Sequence, residues 1–268
     1  MSQNLAYVHP DAKIGKDVKI DPFAYVAGNV VIGDGTWIGP NATILDGARI
    51  GKNCRVFPGA VISAIPQDLK FRGEETTTEI GDNTTMRECV TVNRGTASKG
   101  KTVVGNNCLL MAYVHIGHDC RIGNDIILGN GTQLAGEVEV DDWAIVSAHS
   151  LVHQFERIGA HVMIQGGSKI NKDIPPFIIA AREPITFAGI NIIGLRRRGY
   201  NANQVGEIQE IYRTIYNKGL NVTQAVSYIE ENMAQTPERD LILNFIKGSK
   251  RGIVREYTGA NPNEGLDD

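Results

Sequence analysis

The sequence from residue 104 to residue 175 reads, in groups of six, VGNNCL LMAYVH IGHDCR IGNDII LGNGTQ LAGEVE VDDWAI VSAHSL VHQFER IGAHVM IQGGSK INKDIP. All twelve groups start with Val, Leu or Ile, and the fifth place is usually small or apolar. This period is typical of a parallel β-helix, in which three short strands make one triangular coil around an aliphatic interior. Glycine in the second place, as at Gly117 and Gly123, is expected to relieve the corners.

The same period runs through the N-terminal part of the chain, where ten groups begin at residues from Val8 to Ile62. It is interrupted at residues 64–78, AIPQDLKFRGEETTT, and again at residues 94–101, RGTASKGK. We expect both segments to be inserted loops, and loops on a rigid scaffold often bind ligands. For the second loop, a plain turn is favoured slightly over a contact with a partner.

The period ends at Pro175 and Pro176, and residues 177–200 are predicted to be extended or irregular chain that leads to a basic cluster. From Asn201 the apolar spacing becomes helical, which predicts three helices followed by a disordered tail, GANPNEGLDD. The predicted fold class is mainly β. It consists of a parallel β-helix of hexapeptide repeats over residues 1–190 and a small C-terminal α-helical domain over residues 191–268.

Composition narrows the class of protein. The 268 residues are 42% hydrophobic, which is enough for a substantial core, and the net charge of −3 gives no reason to expect nucleic acid. The N-terminus lacks a signal-peptide pattern, and no apolar run approaches the ~20 residues of a membrane span. The sequence therefore predicts a soluble, cytoplasmic protein.

The cysteines are predicted to be small core residues. Cys54, Cys108 and Cys120 occupy fifth, inward-facing places of the repeat, and the sequence contains no CxxC pair. We therefore predict no disulfide, no metal site and no cofactor.

Stacking predicts which side chains meet, because residues 18 apart lie on successive coils at about the interstrand distance of ~4.8 Å. His118 is then expected below Gly136, and Gly136 below Gln154. The residues predicted to gather at this edge are His115, His118, Asp119, Gly136, Glu137, His153 and Gln154.

This cluster has the composition of a general-base site. The His118 imidazole can accept a proton, and the neighbouring Asp119 can orient it or stabilise its charged form. No Ser or Cys nucleophile accompanies them in the cluster. The pattern indicates direct attack by a substrate hydroxyl rather than a covalent acyl-enzyme.

Seven motifs give the chain a specific resemblance. PQDLK at 66–70, HIGHDC at 115–120, LAGEV at 134–138, VHQF at 152–155, IGAHVM at 158–163, DIPPF at 173–177 and GLRRRGY at 194–200 occur in this order. Together with the repeats, they resemble the UDP-N-acetylglucosamine acyltransferases almost from end to end. These hexapeptide-repeat enzymes start lipid A synthesis by moving a 3-hydroxyacyl chain from acyl carrier protein to the sugar 3-hydroxyl.

The resemblance implies a left-handed coil, a homotrimer with active sites between subunits, and specific residue roles. It implies that His118 is the general base, that Asp119 supports it and that the Gly136 N–H stabilises the oxyanion. Residues implied to contact the substrates are Gln67, Asp68, Lys70, His115, His153 and Gln154 around the sugar and acyl groups, and Asn191, Arg197 and Arg198 at the uridine and phosphate end. Gly166 is implied to leave the acyl groove open to long chains. A basic patch that includes Lys247 and Lys250 is expected to meet the acidic carrier protein.

One departure and three alternatives accompany this resemblance. Glu137 stands where the best-known members have histidine, so contacts to the sugar are expected to differ. A γ-class carbonic anhydrase shares the fold but needs three zinc-binding histidines, of which only His115 and His118 are close in sequence. A non-catalytic scaffold would not explain the HIGHDC, Gly136 and basic-cluster combination. The related N-acyltransferase, which acts on a sugar amine, carries an additional N-terminal domain, whereas the repeats here begin at Val8.

Overall fold

A computed structural model describes residues 5–256 of the chain. The predicted disordered tail, residues 259–268, lies outside this range. The strands are β1 (Tyr7–Val8), β2 (Lys13–Ile14), β3 (Lys19–Ile20), β4 (Tyr25–Val26), β5 (Val31–Ile32), β6 (Trp37–Ile38), β7 (Thr43–Ile44), β8 (Ala48–Ile50), β9 (Arg55–Val56), β10 (Val61–Ala64), β11 (Thr77–Ile80), β12 (Thr85–Met86), β13 (Thr91–Asn93), β14 (Lys101–Val104), β15 (Leu109–Leu110), β16 (His115–Ile116), β17 (Arg121–Ile122), β18 (Ile127–Leu128), β19 (Gln133–Leu134), β20 (Glu139–Val140), β21 (Ile145–Val146), β22 (Leu151–Val152), β23 (Arg157–Ile158), β24 (Met163–Ile164), β25 (Lys169–Ile170), β26 (Ile178–Ala181) and β27 (Thr186–Ile190).

Three sheets form the faces of a triangular prism. Sheet A has the order β1-β4-β7-β10-β13-β16-β19-β22-β25, sheet B has β2-β5-β8-β11-β14-β17-β20-β23, and sheet C has β27-β26-β24-β21-β18-β15-β12-β9-β6-β3. All pairings are parallel except that between β26 and β27. The predicted fold class, a left-handed parallel β-helix with a small C-terminal helical region, is confirmed.

The register confirms the predicted stacking. In the uninterrupted coils the partner lies 18 residues on, so that Ile116 pairs with Leu134. Across the first interruption the spacing grows to 30 residues, from Ile50 to Ile80, and across the second it is 24, from Ile80 to Val104. The inserted residues therefore lie outside the coil, and the strands that follow them keep the same side chains facing the interior.

The interior is filled by the first-place and fifth-place side chains. From Val26 onwards the first-place residues of the coils are buried, whereas Ile14 in the open first coil is 37% exposed. The left-handed backbone conformation occurs at the fourth place, as at Asp119 and Glu137, each with φ of 60°. Glycine is needed at residue 117, in the second place, for another reason: a Cβ there would lie 2.8 Å from the Ala135 carbonyl carbon. The expectation that these glycines relieve the corner was therefore wrong, because close stacking of successive coils is what excludes a side chain.

Both inserted loops replace the same corner of the prism, the A–B corner, at which a strand of sheet A leads to the next strand of sheet B. The first loop runs between β10 and β11, and the second between β13 and β14. Residues 77 and 78, predicted as loop, belong to β11, because Thr77 and Thr78 pair with Lys101 and Thr102. The next A–B corner along the prism lies between β16 and β17 and contains His118 and Asp119.

Four helices follow the β-helix: α1 (Ile192–Arg197), α2 (Ala202–Asn217), α3 (Val222–Asn232) and α4 (Pro237–Lys247). Asn201 and Asn221 form capping boxes at α2 and α3, and Thr236 caps α4. The sequence predicted the last three helices but missed α1, which is six residues long and has no apolar period of its own. After α4 the chain returns to the β-helix, where Ile253 pairs with Asp173. Within residues 5–256, no helix has the length and apolar character that crossing a membrane requires.

Candidate active site

His118 and Asp119 form a hydrogen-bonded pair at the A–B corner. His118 Nδ1 lies 2.7 Å from Asp119 Oδ2, and the side-chain exposure is 20% for the histidine but 0% for the aspartate. A carboxylate can only accept hydrogen bonds, so an ionised Asp119 selects the tautomer with hydrogen on Nδ1. Nε2 is then left with a free lone pair, which is the atom a general base needs.

The second inserted loop holds the Asp119 carboxylate. Oδ1 accepts hydrogen bonds from the backbone N–H groups of Thr96, at 2.9 Å, and Lys99, at 3.2 Å. Oδ2 accepts one from the Thr96 hydroxyl, at 2.7 Å. Burial alone would raise the pKa of Asp119, but the bonds from His118, Thr96 and Lys99 outweigh it and hold the pKa below its usual range. The aspartate therefore stays ionised although it is fully buried.

Gly136 lies on the next coil, directly against the His118 ring. A Cβ on Gly136 would be 2.5 Å from His118 Nε2 and 2.6 Å from Cε1, so a larger residue would displace the ring. The Gly136 N–H donates to no backbone carbonyl within residues 5–256. In this part of the chain, a backbone N–H without a carbonyl partner and a proton acceptor thus lie on adjacent coils, an arrangement suited to attack on a carbonyl group.

His115 is the first residue of β16 and lies beside the pair. Its Nδ1 is 2.8 Å from the Thr91 hydroxyl. Burial, followed by the proximity of His118, lowers the pKa of His115, so this imidazole stays neutral. It can offer a hydrogen bond to a substrate without adding charge.

Glu137 points towards the loop and a cavity beside the corner. Its Oε1 accepts a hydrogen bond from the Ser98 hydroxyl at 3.2 Å. The cavity of about 610 Å³ is lined by Lys99, Glu137, Glu139, Phe155, Arg157, Asp173, Gly248, Lys250 and Arg251. Four cations therefore surround three carboxylates, so the negative charge that Glu137 brings in place of histidine is offset locally.

One coil further along, His153 and Gln154 are tied to the C-terminal segment. Arg251 Nη1 lies 2.9 Å from His153 Nδ1 and 2.8 Å from Oε1 of the buried Glu156. Burial, and then the nearby Asp173 carboxylate, raise the pKa of Glu156, while Arg251 opposes them. The C-terminal segment thus fixes the His153 ring over a sequence distance that no repeat could predict.

Asn191 and Arg198 lie near a different edge, the B–C corner, which joins sheets B and C. Asn191 caps α1 and donates to the His161 carbonyl at 2.9 Å. Arg198 donates to the Trp143 carbonyl at 2.9 Å and lies over the Trp143 ring. Burial, and then the Arg198 cation, lower the pKa of His161 to about 4. Arg197 is exposed.

The remaining predicted residues occupy two further places. Gln67, Asp68 and Lys70 lie on the first inserted loop, where the Lys70 N–H donates to Asp68 Oδ1 at 2.9 Å. Gly166 lies at the third corner, C–A, between β24 and β25. The structure thus brings His115, His118, Asp119, Gly136 and Glu137 together, with His153 and Gln154 one coil away; Asn191, Arg198 and Gly166 adjoin other corners of the same chain.

Sequence reasoning missed the contribution of the second loop. Thr96 and Lys99 hold the Asp119 side chain, and Thr102 accepts the Asp119 backbone N–H at 2.8 Å. A plain turn was slightly favoured for this segment. The available signal was its position, because removing the inserted residues places it at the A–B corner one coil before His118.

Cys54, Cys108 and Cys120 are buried core residues, as predicted, whereas Cys89 is half-buried; all four are free thiols. Burial raises the pKa of Cys108 to about 11 and that of Cys120 to about 12, so both stay protonated. Across the described part of the chain, no group of three His, Cys, Asp or Glu side chains is placed to hold a metal ion.

Comparison with known proteins agrees with this geometry. Residues 173–254 match the family model described as UDP N-acetylglucosamine O-acyltransferase, domain 2, and residues 11–36, 29–64 and 101–136 match the bacterial transferase hexapeptide repeat. The acyl-[acyl-carrier-protein]–UDP-N-acetylglucosamine O-acyltransferase of Pseudomonas syringae pv. tomato is 47% identical over 70% of this chain and 73% of its own length. That of Burkholderia lata is 45% identical over 71% and 74%.

Solved structures extend the match to nearly the whole chain. LpxA of Bacteroides fragilis, a UDP-N-acetylglucosamine acyltransferase, has a TM-score of 0.93 and 58% identity, covering 95% of this chain and 100% of the other. The Francisella novicida enzyme has a TM-score of 0.93 and 41% identity, covering 100% of both chains. This chain therefore belongs to the acyl-[acyl-carrier-protein]–UDP-N-acetylglucosamine O-acyltransferase family.

Proposed function

We propose that this chain transfers a 3-hydroxyacyl group from an acyl carrier protein thioester to the 3-hydroxyl of UDP-N-acetylglucosamine, the first step of lipid A biosynthesis. The observation that carries the mechanism is the contact between the His118 ring and Gly136, with Asp119 on the other side of the ring. Family membership supports the identity of the two substrates.

In the proposed reaction His118 Nε2 removes the proton from the sugar hydroxyl as that oxygen attacks the thioester carbonyl carbon. The tetrahedral oxyanion is stabilised by the Gly136 N–H. Collapse of the intermediate breaks the carbon–sulfur bond, and the leaving thiolate takes the proton back from His118. Asp119 holds the ring and stabilises its transient positive charge.

The other predicted residues are proposed to hold the substrates. His115, Glu137, His153 and Gln154 would line the groove with Gln67, Asp68 and Lys70 of the first loop, and Asn191, Arg197 and Arg198 would hold the uridine and phosphate end. Of the basic residues expected to meet the carrier protein, Lys247 pairs with Glu230, and Lys250 lines the cavity beside Glu137.

A homotrimer fits this division of residues. The base lies at the A–B corner, whereas Arg198 adjoins the B–C corner and Gly166 lies at the C–A corner. Corners of one prism point in different directions, so a second copy must supply those residues if all act on one substrate. We propose that the site lies between subunits, and that the enzyme works in the cytoplasm.

One assay tests the activity. Purified protein is incubated with 3-hydroxyacyl carrier proteins of several chain lengths and with UDP-N-acetylglucosamine or its 3-amino analogue, and the products are measured by mass spectrometry. The proposal requires transfer to the 3-hydroxyl. Transfer only to the amine would move the chain to the N-acyltransferase class, and no transfer to either acceptor would overturn the proposed activity.

Gly136→Ala is expected to lower kcat by about 10², because a Cβ at this position overlaps the His118 ring and misplaces the base. Gly28→Ala is the matched control. Gly28 also lies at an A–B corner, where its Cβ would be 3.0 Å from His9 Nδ1. This corner is several coils away from the His118–Asp119 pair. Steady-state kinetics of both variants make the comparison. Equal effects of the two substitutions would mean that only stacking was disturbed.

Gly166→Met is expected to shift the donor preference towards shorter acyl chains, the native protein preferring long ones. A Cβ at Gly166 would lie 3.1 Å from the Ala148 carbonyl oxygen and 3.7 Å from Ser147 Cβ, so a long side chain must extend away from the corner. Each excluded methylene forfeits about 0.8 kcal/mol, or roughly fourfold in kcat/KM.

The measurement is kcat/KM for a series of donors of increasing length. Gly206→Met is the control, because a Cβ on this exposed α2 glycine meets nothing within 4 Å. An unchanged length profile in Gly166→Met, or a native preference for short chains, would leave Gly166 as a corner glycine without a role in chain length.

A further inference from the structure

Of the side chains in the second inserted loop, only that of Thr96 forms a hydrogen bond with the His118–Asp119 pair. Thr96 is 7% exposed, and its hydroxyl donates to Asp119 Oδ2 at 2.7 Å. The other loop donors to this carboxylate are backbone N–H groups of Thr96 and Lys99, which both reach Oδ1. A substitution at residue 96 can therefore remove the hydroxyl bond and leave the backbone bonds in place.

The hydroxyl proton has one direction available. Thr96 Oγ1 accepts the Ser98 N–H at 3.1 Å, and an ionised carboxylate cannot donate, so the hydrogen on Oγ1 points at Asp119. The same carboxylate oxygen lies 2.7 Å from His118 Nδ1. The Thr96 hydroxyl and the His118 imidazole thus both contact Asp119 Oδ2. The hydroxyl therefore fixes the position of that oxygen relative to the imidazole.

Hydrogen bonds, an ion pair and a close backbone approach hold the second inserted loop in place. The Thr76 hydroxyl donates to the Gly95 carbonyl at 2.6 Å, and the Gly100 N–H donates to the Thr96 carbonyl at 2.8 Å. Lys99 forms an ion pair with Glu139 of β20 at 3.2 Å. A Cβ on Gly95 would lie 2.6 Å from Lys101 Cα, so the two ends of the loop approach as closely as glycine permits.

We propose that Thr96 is a positioning residue of the His118–Asp119 pair: its hydroxyl holds Asp119 Oδ2 opposite His118 Nδ1 and so keeps the imidazole in the tautomer that leaves Nε2 unprotonated. The catalytic meaning of this role rests on the proposed function. The geometric part concerns the free protein and can be measured without substrate.

The test compares Thr96→Val, which keeps the shape but loses the hydroxyl, with Thr96→Ser, which restores it. Thr36→Val is the matched control, because Thr36 is fully buried, donates to the Gly51 carbonyl at 2.9 Å and accepts the Cys54 N–H at 3.0 Å, remote from the dyad in the coil order. Two readouts are used. One is kcat and KM for UDP-N-acetylglucosamine; the other is the ring-nitrogen NMR spectrum of His118, assigned by its loss in His118→Asn.

Thr96→Val is expected to lower kcat ten- to a hundredfold, roughly the loss of one hydrogen bond to a charged group, with KM changed by less than about twofold. Its His118 ring should show a mixture of tautomers where the wild type shows hydrogen on Nδ1. Thr96→Ser and Thr36→Val should match the wild type in kcat and spectrum. If Thr96→Val does not fold, Thr96→Ala is judged by the same criteria.

A wild-type kcat or a single unchanged tautomer in the folded hydroxyl-free variant would overturn the proposal, as would an effect on KM alone. If the wild-type protein transfers no acyl group, the proposed function fails, and the NMR comparison still decides whether Thr96 sets the His118 tautomer.

Discussion

Replacing His118 by alanine is expected to lower kcat by about 10² to 10⁴, the range that a positioned general base contributes. The ring meets Asp119 on one side and Gly136 on the other, and no other imidazole is bonded to the Asp119 carboxylate within residues 5–256. The side chain lies outside the prism interior, so folding and subunit assembly should persist. Steady-state kinetics and size-exclusion chromatography measure the two effects.

His9→Ala is the control, since the chain carries a second histidine in a comparable setting. His9 also lies at an A–B corner beneath a glycine of the next coil, Gly28, and its Nδ1 accepts the Asp11 N–H at 3.2 Å. Within residues 5–256, the carboxylate paired with His9 is that of the exposed Asp11, at 3.6 Å, and the inserted loops lie on later coils. Near-normal turnover by folded His118→Ala, or an equal loss in His9→Ala, would contradict the assignment of the base.

The sequence predicted the strands and the position of His118 next to Gly136, because both depend on one period. Aliphatic residues every six positions force the coil, and a spacing of 18 then determines which corner residues touch. The contact between His118 and Gly136 follows from that rule alone. The same rule places both inserted loops at the A–B corner, although only the structure shows that the second one closes over Asp119.

The features that the sequence could not predict do not follow the six-residue period. The path of residues 94–100 depends on individual hydrogen bonds, such as that from the Thr76 hydroxyl to Gly95, and these leave no repeating pattern. The contact of Arg251 with Glu156 spans 95 residues of sequence, so neither the repeats nor the helical spacing can indicate it. Helix α1 was missed for a related reason, because six residues are too few to display an amphipathic face.

Glu156 illustrates how the repeat and the site are combined. It occupies a fifth, inward-facing place where other coils carry alanine, valine or cysteine, and it is fully buried. Its Oε1 is bonded to Arg251, which also contacts His153. A buried carboxyl group is tolerated when it is hydrogen-bonded, so this core position anchors the C-terminal segment beside His153. The helical region is thereby tied to the coil that follows the Gly136 coil.

Asp119→Asn is expected to lower kcat by about 10⁴, as much as the corresponding change in a serine protease triad. Asparagine has one carbonyl oxygen for the four donors now shared by the carboxylate: the Thr96 and Lys99 N–H groups on Oδ1, and the Thr96 hydroxyl and His118 on Oδ2. With the oxygen facing the two N–H groups, the amide NH₂ faces His118 Nδ1. The imidazole then accepts at Nδ1 and carries its hydrogen on Nε2, where it cannot take a proton from the substrate.

The backbone does not oppose this substitution, which makes the test specific. Asp119 has φ of 60°, a left-handed conformation that asparagine adopts readily. Asp125→Asn is the matched control, because Asp125 occupies the same fourth place of the next repeat with φ of 57°, and accepts a bond from Asn107 at 3.3 Å. Kinetics and thermal unfolding of both variants separate chemistry from folding. If Asp119→Asn kept more than about a tenth of the wild-type kcat, the carboxylate would not control the tautomer of His118.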